Sequence, residues 1–334
     1  MQTEGKALMG QTMVLRRVDP GQHAGEEMTG QRTDQRRWVS RLVTLLAGVV
    51  GLVTATTSAA GADQATTFDG DVLAVNVGDG RLRQAPIAGA VDYVALGDSY
   101  SSGVGTGVYD SASGACARSP LSYPPLWAAE HQPASFEFVA CSGAKTADVI
   151  ANQISALQPG TDLVTITVGG NDAGFGPVLQ TCTVAESDRT CFAAVDAAEA
   201  FERSVLRDRL TRTYAEIRRA APHAQVIVLG YPRLFDLAPN CAEPQVPNLA
   251  RREKLNEGAD VLNDVIQSTS QQAGFSFADV RNRFARHGVC SADPWINGPS
   301  VPPSVGPYHP NQTGYRDGYR EALDEATTPE AAVA

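Results

Sequence analysis

From residue 91 onward, apolar positions follow two alternating patterns. Short runs of branched and apolar residues occupy 91–96, 136–141, 162–168, 225–229 and 275–280, most of them closed by Gly or Ser. Such runs read as buried β-strands. Between them lie longer stretches whose apolar residues recur at three or four positions. In 249–272, Leu255, Ala259, Leu262 and Ile266 mark one face of a helix. Stretches 146–157, 192–220 and 312–326 read as helices too, and their apolar faces are most simply core surface. Five strands separated by helices predict an α/β fold with a five-stranded, mainly parallel sheet covered on both faces.

The first 62 residues do not follow this pattern. Arg36, Arg37 and Arg41 precede an uncharged run at 42–55, and Ala60-Gly61-Ala62 follows. That order is basic, apolar, then a small-residue cleavage site, as in a secretory signal. The run is short for a membrane span, so 1–62 is expected to be an N-terminal extension with a cleaved signal rather than a retained anchor. Arg36-Arg37 also fits twin-arginine export, and Met28 is an alternative start, since residues 1–35 are long for the basic region. Residues 63–90 read either as a linker or as a small hairpin, 91–326 as the folded domain, and 327–334 as a frayed tail.

Charge and cysteines narrow the class further. A net charge of −10 argues against nucleic acid or an anionic membrane as main partner. The 6 cysteines show no C-x-x-C pair and no zinc spacing, so in an exported chain they read as disulfides. The sequence does not choose among the possible pairings. Sequential pairing, Cys116 with Cys141, Cys182 with Cys191 and Cys241 with Cys290, is the expectation, because each pair would then staple one loop region.

Candidate chemistry gathers at the carboxyl ends of the predicted strands, where open α/β sheets hold their ligands. The segment Gly97-Asp98-Ser99-Tyr100-Ser101-Ser102-Gly103 follows the first strand and makes Ser99 a candidate nucleophile at a helix start. Unpaired N–H groups there suit an oxyanion. Cys141-Ser142-Gly143-Ala144-Lys145-Thr146 follows the second strand, Gly169-Gly170-Asn171-Asp172 the third, and Tyr308-His309-Pro310-Asn311 precedes the last helix. Singly, each is explained as a turn, a helix cap or a loop. Together they supply a nucleophile, two oxyanion donors in Gly143 and Asn171, and a base in His309.

The order Gly-Asp-Ser, a lone Gly, Gly-x-Asn-Asp and a late His resembles the SGNH, or GDSL, hydrolase family. The signal, the six cysteines, Trp295-Ile296-Asn297-Gly298 and Tyr308-His309-Pro310-Asn311 are similar to its secreted bacterial lipase and esterase branch. The resemblance spans about 92–326. It implies a three-layer α/β/α, flavodoxin-like domain with Ser99 as nucleophile and His309 as base. It also implies an oxyanion hole from the Ser99 and Gly143 backbone N–H groups and the Asn171 side chain, and it favours the sequential disulfides.

One position departs from the family. Many members carry Asp three residues before the histidine, where this chain has Gly306. A catalytic dyad is then expected; the resemblance to secreted members implies that a backbone carbonyl, here from 295–308, orients His309, with Asp293 as a lesser alternative. Asp98 is expected to brace its turn rather than touch His309. His23 falls in the signal, His131 and His223 lie at helix ends, and His287 stands near Cys290 without a motif. Tyr100, Tyr109, Leu121, Tyr123, Phe175, Leu179 and Trp295 are candidates for an acyl pocket. The resulting expectation is a secreted, extracellular, monomeric serine esterase or lipase acting on small-molecule or lipid esters. It needs no cofactor and no metal, and meets a membrane only through an uncleaved signal. The alternatives are a polysaccharide O-acetyl esterase and a non-catalytic binding protein on this scaffold. The α/β-hydrolase fold is disfavoured, because Ser101 stands where its G-x-S-x-G elbow requires Gly.

Overall fold

The computed structural model describes residues 91–328. Its strands are β1 (Asp92–Ala95), β2 (Ser135–Phe138), β3 (Leu163–Ile166), β4 (Gln225–Leu229) and β5 (Ser276–Ala278). They pair in the order β2-β1-β3-β4-β5, and every neighbouring pair is parallel. The sheet is thus wholly parallel. β3, reading Leu-Val-Thr-Ile, is buried along its whole length, as a strand covered on both faces must be. β2 lies at an edge and alternates between exposed and half-buried positions.

The helices are α1 (Ser99–Ser102), α2 (Tyr123–His131), α3 (Thr146–Asn152), α4 (Phe175–Val184), α5 (Asp188–Phe201), α6 (Arg207–Ala220), α7 (Leu249–Gln272) and α8 (Glu321–Thr327). One layer holds α3, α5, α6 and α7. The other holds α2, α8 and the π-helical turn Gly314–Arg320 that leads into α8. Between them lies the core, with Tyr93, Tyr123, Tyr214, Tyr315 and Tyr319 among the largest fully buried side chains. The helix expected over 192–220 is α5 and α6 joined by the π-helical turn Glu202–Leu206. It begins earlier because Ser187 caps it, its hydroxyl accepting from Thr190 N.

Two helices were not expected. α2 carries Pro124 and Pro125, and α4 carries Gly176 and Pro177, all in the first turn. Along a sequence these residues read as breakers, yet in a first turn proline removes no helical hydrogen bond.

Three disulfides join Cys116 to Cys141, Cys182 to Cys191 and Cys241 to Cys290. The expected signal at 1–62 and the linker or hairpin at 63–90 lie outside the described residues. So does the tail at 329–334, whereas Thr327 still belongs to α8. Among the described residues no helix is long and apolar enough to cross a membrane.

Candidate active site

Gly97 ends the run that begins with β1, and at φ +127° its backbone turns out of the strand. A Cβ there would meet Ser101 Oγ at 2.5 Å and Thr167 O at 2.7 Å, so only glycine fits. Gln153, buried just after α3, holds this turn from both sides: Oε1 accepts from Gly97 N at 2.7 Å and Nε2 donates to Gly97 O at 2.9 Å. The next residue, Asp98, caps α1 through Tyr100 N at 3.0 Å. It also accepts from Thr167 Oγ1 at 2.6 Å and from the Tyr231 hydroxyl at 2.5 Å. Burial nevertheless raises its pKa to about 6, because three donors only partly replace lost hydration. As expected, Asp98 supports the turn and makes no hydrogen bond to His309.

Ser99 opens α1, with its hydroxyl 2.9 Å from His309 Nε2. The other ring nitrogen, Nδ1, lies 2.9 Å from Pro307 O. A carbonyl can only accept, so Nδ1 carries the hydrogen and Nε2 presents a lone pair to the serine. The surrounding protein lowers the His309 pKa to about 4 by desolvation, which the Pro307 carbonyl only partly opposes. The imidazole is therefore neutral at pH 7 and able to take a proton.

The carbonyl that orients His309 thus comes from the expected segment, and Asp293 is excluded from that role. Asp293 turns to His287, whose Nδ1 bonds Asp293 O at 2.8 Å and whose ring stacks on Trp295. Position 306, where aspartate was looked for, holds glycine in a conformation that disfavours any side chain. Gly306 has φ +94°, and a Cβ there would stand 2.3 Å from Val104 Cγ1 and 3.1 Å from Gly105 N. No carboxylate can be mounted at 306 without displacing the segment after α1.

The block Trp295-Ile296-Asn297-Gly298 steadies the histidine. Ile296 pairs with Pro310 in an antiparallel bridge, Asn297 N donates to His309 O at 2.9 Å, and Tyr308 N donates to Asn297 O at 2.9 Å. Asn311 completes the loop, its N donating to Trp295 O and its side chain to Pro294 O. Tyr100 lies against the imidazole at 4.9 Å between centroids, while its hydroxyl donates to Tyr308 O.

Gly143 stands on the exposed loop after Cys141, and Asn171 follows β3; both line the pocket that contains Ser99 and His309. Asn171 Nδ2 donates to Ala144 O at 3.1 Å, which binds its side chain to the Gly143 loop. Asp172, whose side chain is fully buried, fixes the same two loops. It accepts from Thr146 N at 2.9 Å and Thr146 Oγ1 at 2.7 Å, and pairs with Arg209 at 3.1 Å.

The pocket encloses about 500 Å³. Of the expected lining residues, Tyr100, Phe175 and Leu179 face it. Tyr123 is core, bonded to Ser101 Oγ, while Tyr109 bonds Val305 O and Trp295 packs on Phe284. Leu121 does not line it either. Sequence reading missed Thr183, Val184, Tyr231, Leu234, Leu262 and Tyr308, which are among the other lining residues. Leu262 was legible as a core-facing helix residue, but that it also borders the site was not. His131 stacks on Trp127, and neither it nor the exposed His223 enters the site.

Residues 95–316 match the model of the GDSL-like lipase/acylhydrolase family. A lipase of Streptomyces rimosus is 46% identical over 243 residues, covering 73% of this chain and 89% of that protein. The crystal structure of an extracellular lipase from the same organism covers 71% of this chain and all of its own, with a TM-score of 0.68. That of a phospholipase A1 from Streptomyces albidoflavus, 45% identical, covers 71% and 99% with the same TM-score of 0.68. With its wholly parallel three-layer sheet and these relatives across most of their length, the chain belongs to the GDSL-like lipase/acylhydrolase family and is a carboxylic ester hydrolase of the esterase and lipase kind.

Proposed function

We propose that the protein is a secreted, monomeric serine esterase or lipase that works through an acyl-Ser99 intermediate with His309 as general base. The observation that carries this reading is the 2.9 Å contact between Ser99 Oγ and His309 Nε2, with Nδ1 engaged by Pro307 O. As Oγ attacks the ester carbonyl, Nε2 takes its proton and later delivers it to the departing alcohol. Water then repeats the cycle on the acyl-enzyme. The Ser99 and Gly143 N–H groups and the Asn171 amide are assigned to the oxyanion. The Pro307 carbonyl serves as orienter and dipole where a triad would use a carboxylate.

An elongated acyl group is favoured as substrate over an acetyl group. Phe175, Leu179, Leu234 and Leu262 make a largely apolar wall far larger than an acetyl group requires. Because one relative is a phospholipase A1, phospholipid esters belong with neutral ones in the substrate series. Export is supported by the three disulfides and by the extracellular S. rimosus relative.

The test is hydrolysis of p-nitrophenyl esters of increasing chain length, together with covalent labelling by an alkyl phosphonate. Wild type should turn over the series and take one phosphonate on Ser99. Ser99→Ala should lose both while keeping its circular dichroism spectrum, and His309→Ala should label hardly at all. A Ser99→Ala variant with undiminished turnover would refute the assignment.

A further inference from the structure

Directly after β4 stands Tyr231, a residue outside the four family blocks. We propose that Tyr231 is a positioning residue, whose single hydroxyl ties the turn carrying Ser99 to the loop carrying Asn171 and so sets the nucleophile against the oxyanion donors. The proposal rests on the roles assigned above to Ser99 and Asn171.

The Tyr231 hydroxyl donates to Asp98 Oδ2 at 2.5 Å and accepts from Gly170 N at 3.3 Å. Asp98 precedes the nucleophile and Gly170 precedes the oxyanion amide, so one oxygen spans the two reactive loops. Its own anchorage is firm. Tyr231 N donates to Asn263 Oδ1 and its carbonyl accepts from Asn263 Nδ2, both at 2.8 Å, and Asn263 on α7 is fully buried. The phenol is therefore launched from a point clamped on both sides. Its ring stands edge-on to Tyr100 at 5.0 Å, and Tyr100 in turn flanks His309. Packing alone would be served equally by phenylalanine. Two hydrogen bonds to two catalytic loops would not.

Asp98 supplies a second readout. It is faced by Thr167 Oγ1 from the end of β3, Tyr100 N from α1 and the Tyr231 hydroxyl from β4. Beyond these stand the Asp172 carboxylate, which is paired with Arg209, and the phenols of Tyr123, Tyr315 and Tyr319. Each donor stabilises the carboxylate, so removing one moves its protonation to higher pH.

The test compares Tyr231→Phe with Thr167→Val in the whole chain, using p-nitrophenyl butyrate. Thr167 donates to the same carboxylate and also meets Ser101 Oγ at 2.9 Å, but makes no hydrogen bond to Gly170. Both variants should shift the upper part of the acid limb of kcat/KM to higher pH. Only Tyr231→Phe should lower the plateau kcat, by up to roughly 10²-fold, with KM nearly unchanged, since a misplaced reactive group costs turnover rather than ground-state binding. Melting curves run beside the kinetics keep folding separate. Three outcomes would overturn the proposal: unchanged kcat in Tyr231→Phe, a loss carried by KM, or an equal kcat loss in Thr167→Val, which leaves the bridge intact. Turnover is counted per phosphonate-labelled Ser99, so the comparison reads the folded fraction alone and decides even if Tyr231→Phe folds poorly. A wild type that neither labels on Ser99 nor hydrolyses the ester removes the hydrolase mechanism itself. An active, labelled wild type with an indifferent Tyr231→Phe removes this proposal alone.

Discussion

At the scale of single residues, His309 is held by a backbone carbonyl rather than a carboxylate. Its Nδ1–H meets a neutral carbonyl, which fixes the tautomer but offers the nascent imidazolium less stabilisation than an aspartate would. Desolvation of the ring has a sign that can be measured. From the ordinary value of 6.5 its pKa falls to about 4, so the neutral base persists as acid is added and is lost only when pH drops through the lower value. Asp98 behaves in the opposite sense, taking up its proton near pH 6. A kcat/KM profile should therefore show a shallow step near pH 6 from Asp98 and a steep one near pH 4 from His309. A single titration at 6.5 would contradict this ordering. Ser99, His309, Gly143 and Asn171, which the structure brings to one pocket, were legible as residue types in ordered blocks. Gln153 and Tyr231, which tie those blocks to distant segments, were not, because each acts on a partner more than 50 positions away.

Elements decide what the site accepts. α4 begins with Phe175, Gly176 and Pro177, lines the pocket with Leu179 and Thr183, and ends at the exposed Val184. Its far end is stapled to α5 by Cys182–Cys191, and buried Arg251 holds the same corner by donating to Cys182 O and Asp188. One wall of the pocket is thus set by the position of a single short helix. Leu179→Trp should fill the space beside it and shorten the preferred acyl chain. Each methylene left unburied costs about 0.8 kcal/mol, so turnover of a lauroyl ester should fall roughly tenfold or more relative to butyryl. A chain-length series for the variant and wild type checks this, and an unchanged ratio would place the acyl chain elsewhere. The strands were legible from apolar runs, to within a few residues at their ends. α2 and α4 escaped because proline and glycine in a first turn look the same in sequence as in a loop.

For the whole molecule, crosslinks and sheet share the task of holding four distant segments at one edge. Cys116–Cys141 fastens the segment after α1 to the Gly143 loop, while Cys241–Cys290 closes a much longer stretch ahead of the His309 loop. Loop closure in the unfolded chain costs more as separation grows, and the separations are 9 for Cys182–Cys191 and 49 for Cys241–Cys290. On the chain-entropy account, serine replacement of Cys182–Cys191 should cost about 2.6 kcal/mol and of Cys241–Cys290 about 4 kcal/mol. Denaturant unfolding of the two double variants measures both, and the reverse order would point to packing rather than entropy.

By itself the sequence determined the strand and helix alternation, the parallel sheet and the reactive residue types proposed to carry the chemistry, because hydrophobic period and reactive side-chain type are local properties. Only the tertiary structure decided that Pro307 O meets His309, that Gly306 leaves no room for a carboxylate, and that Tyr231 bonds to both Asp98 and Gly170. Those facts depend on which backbone atoms meet across the top of the sheet. Spacing along the chain carries no record of that.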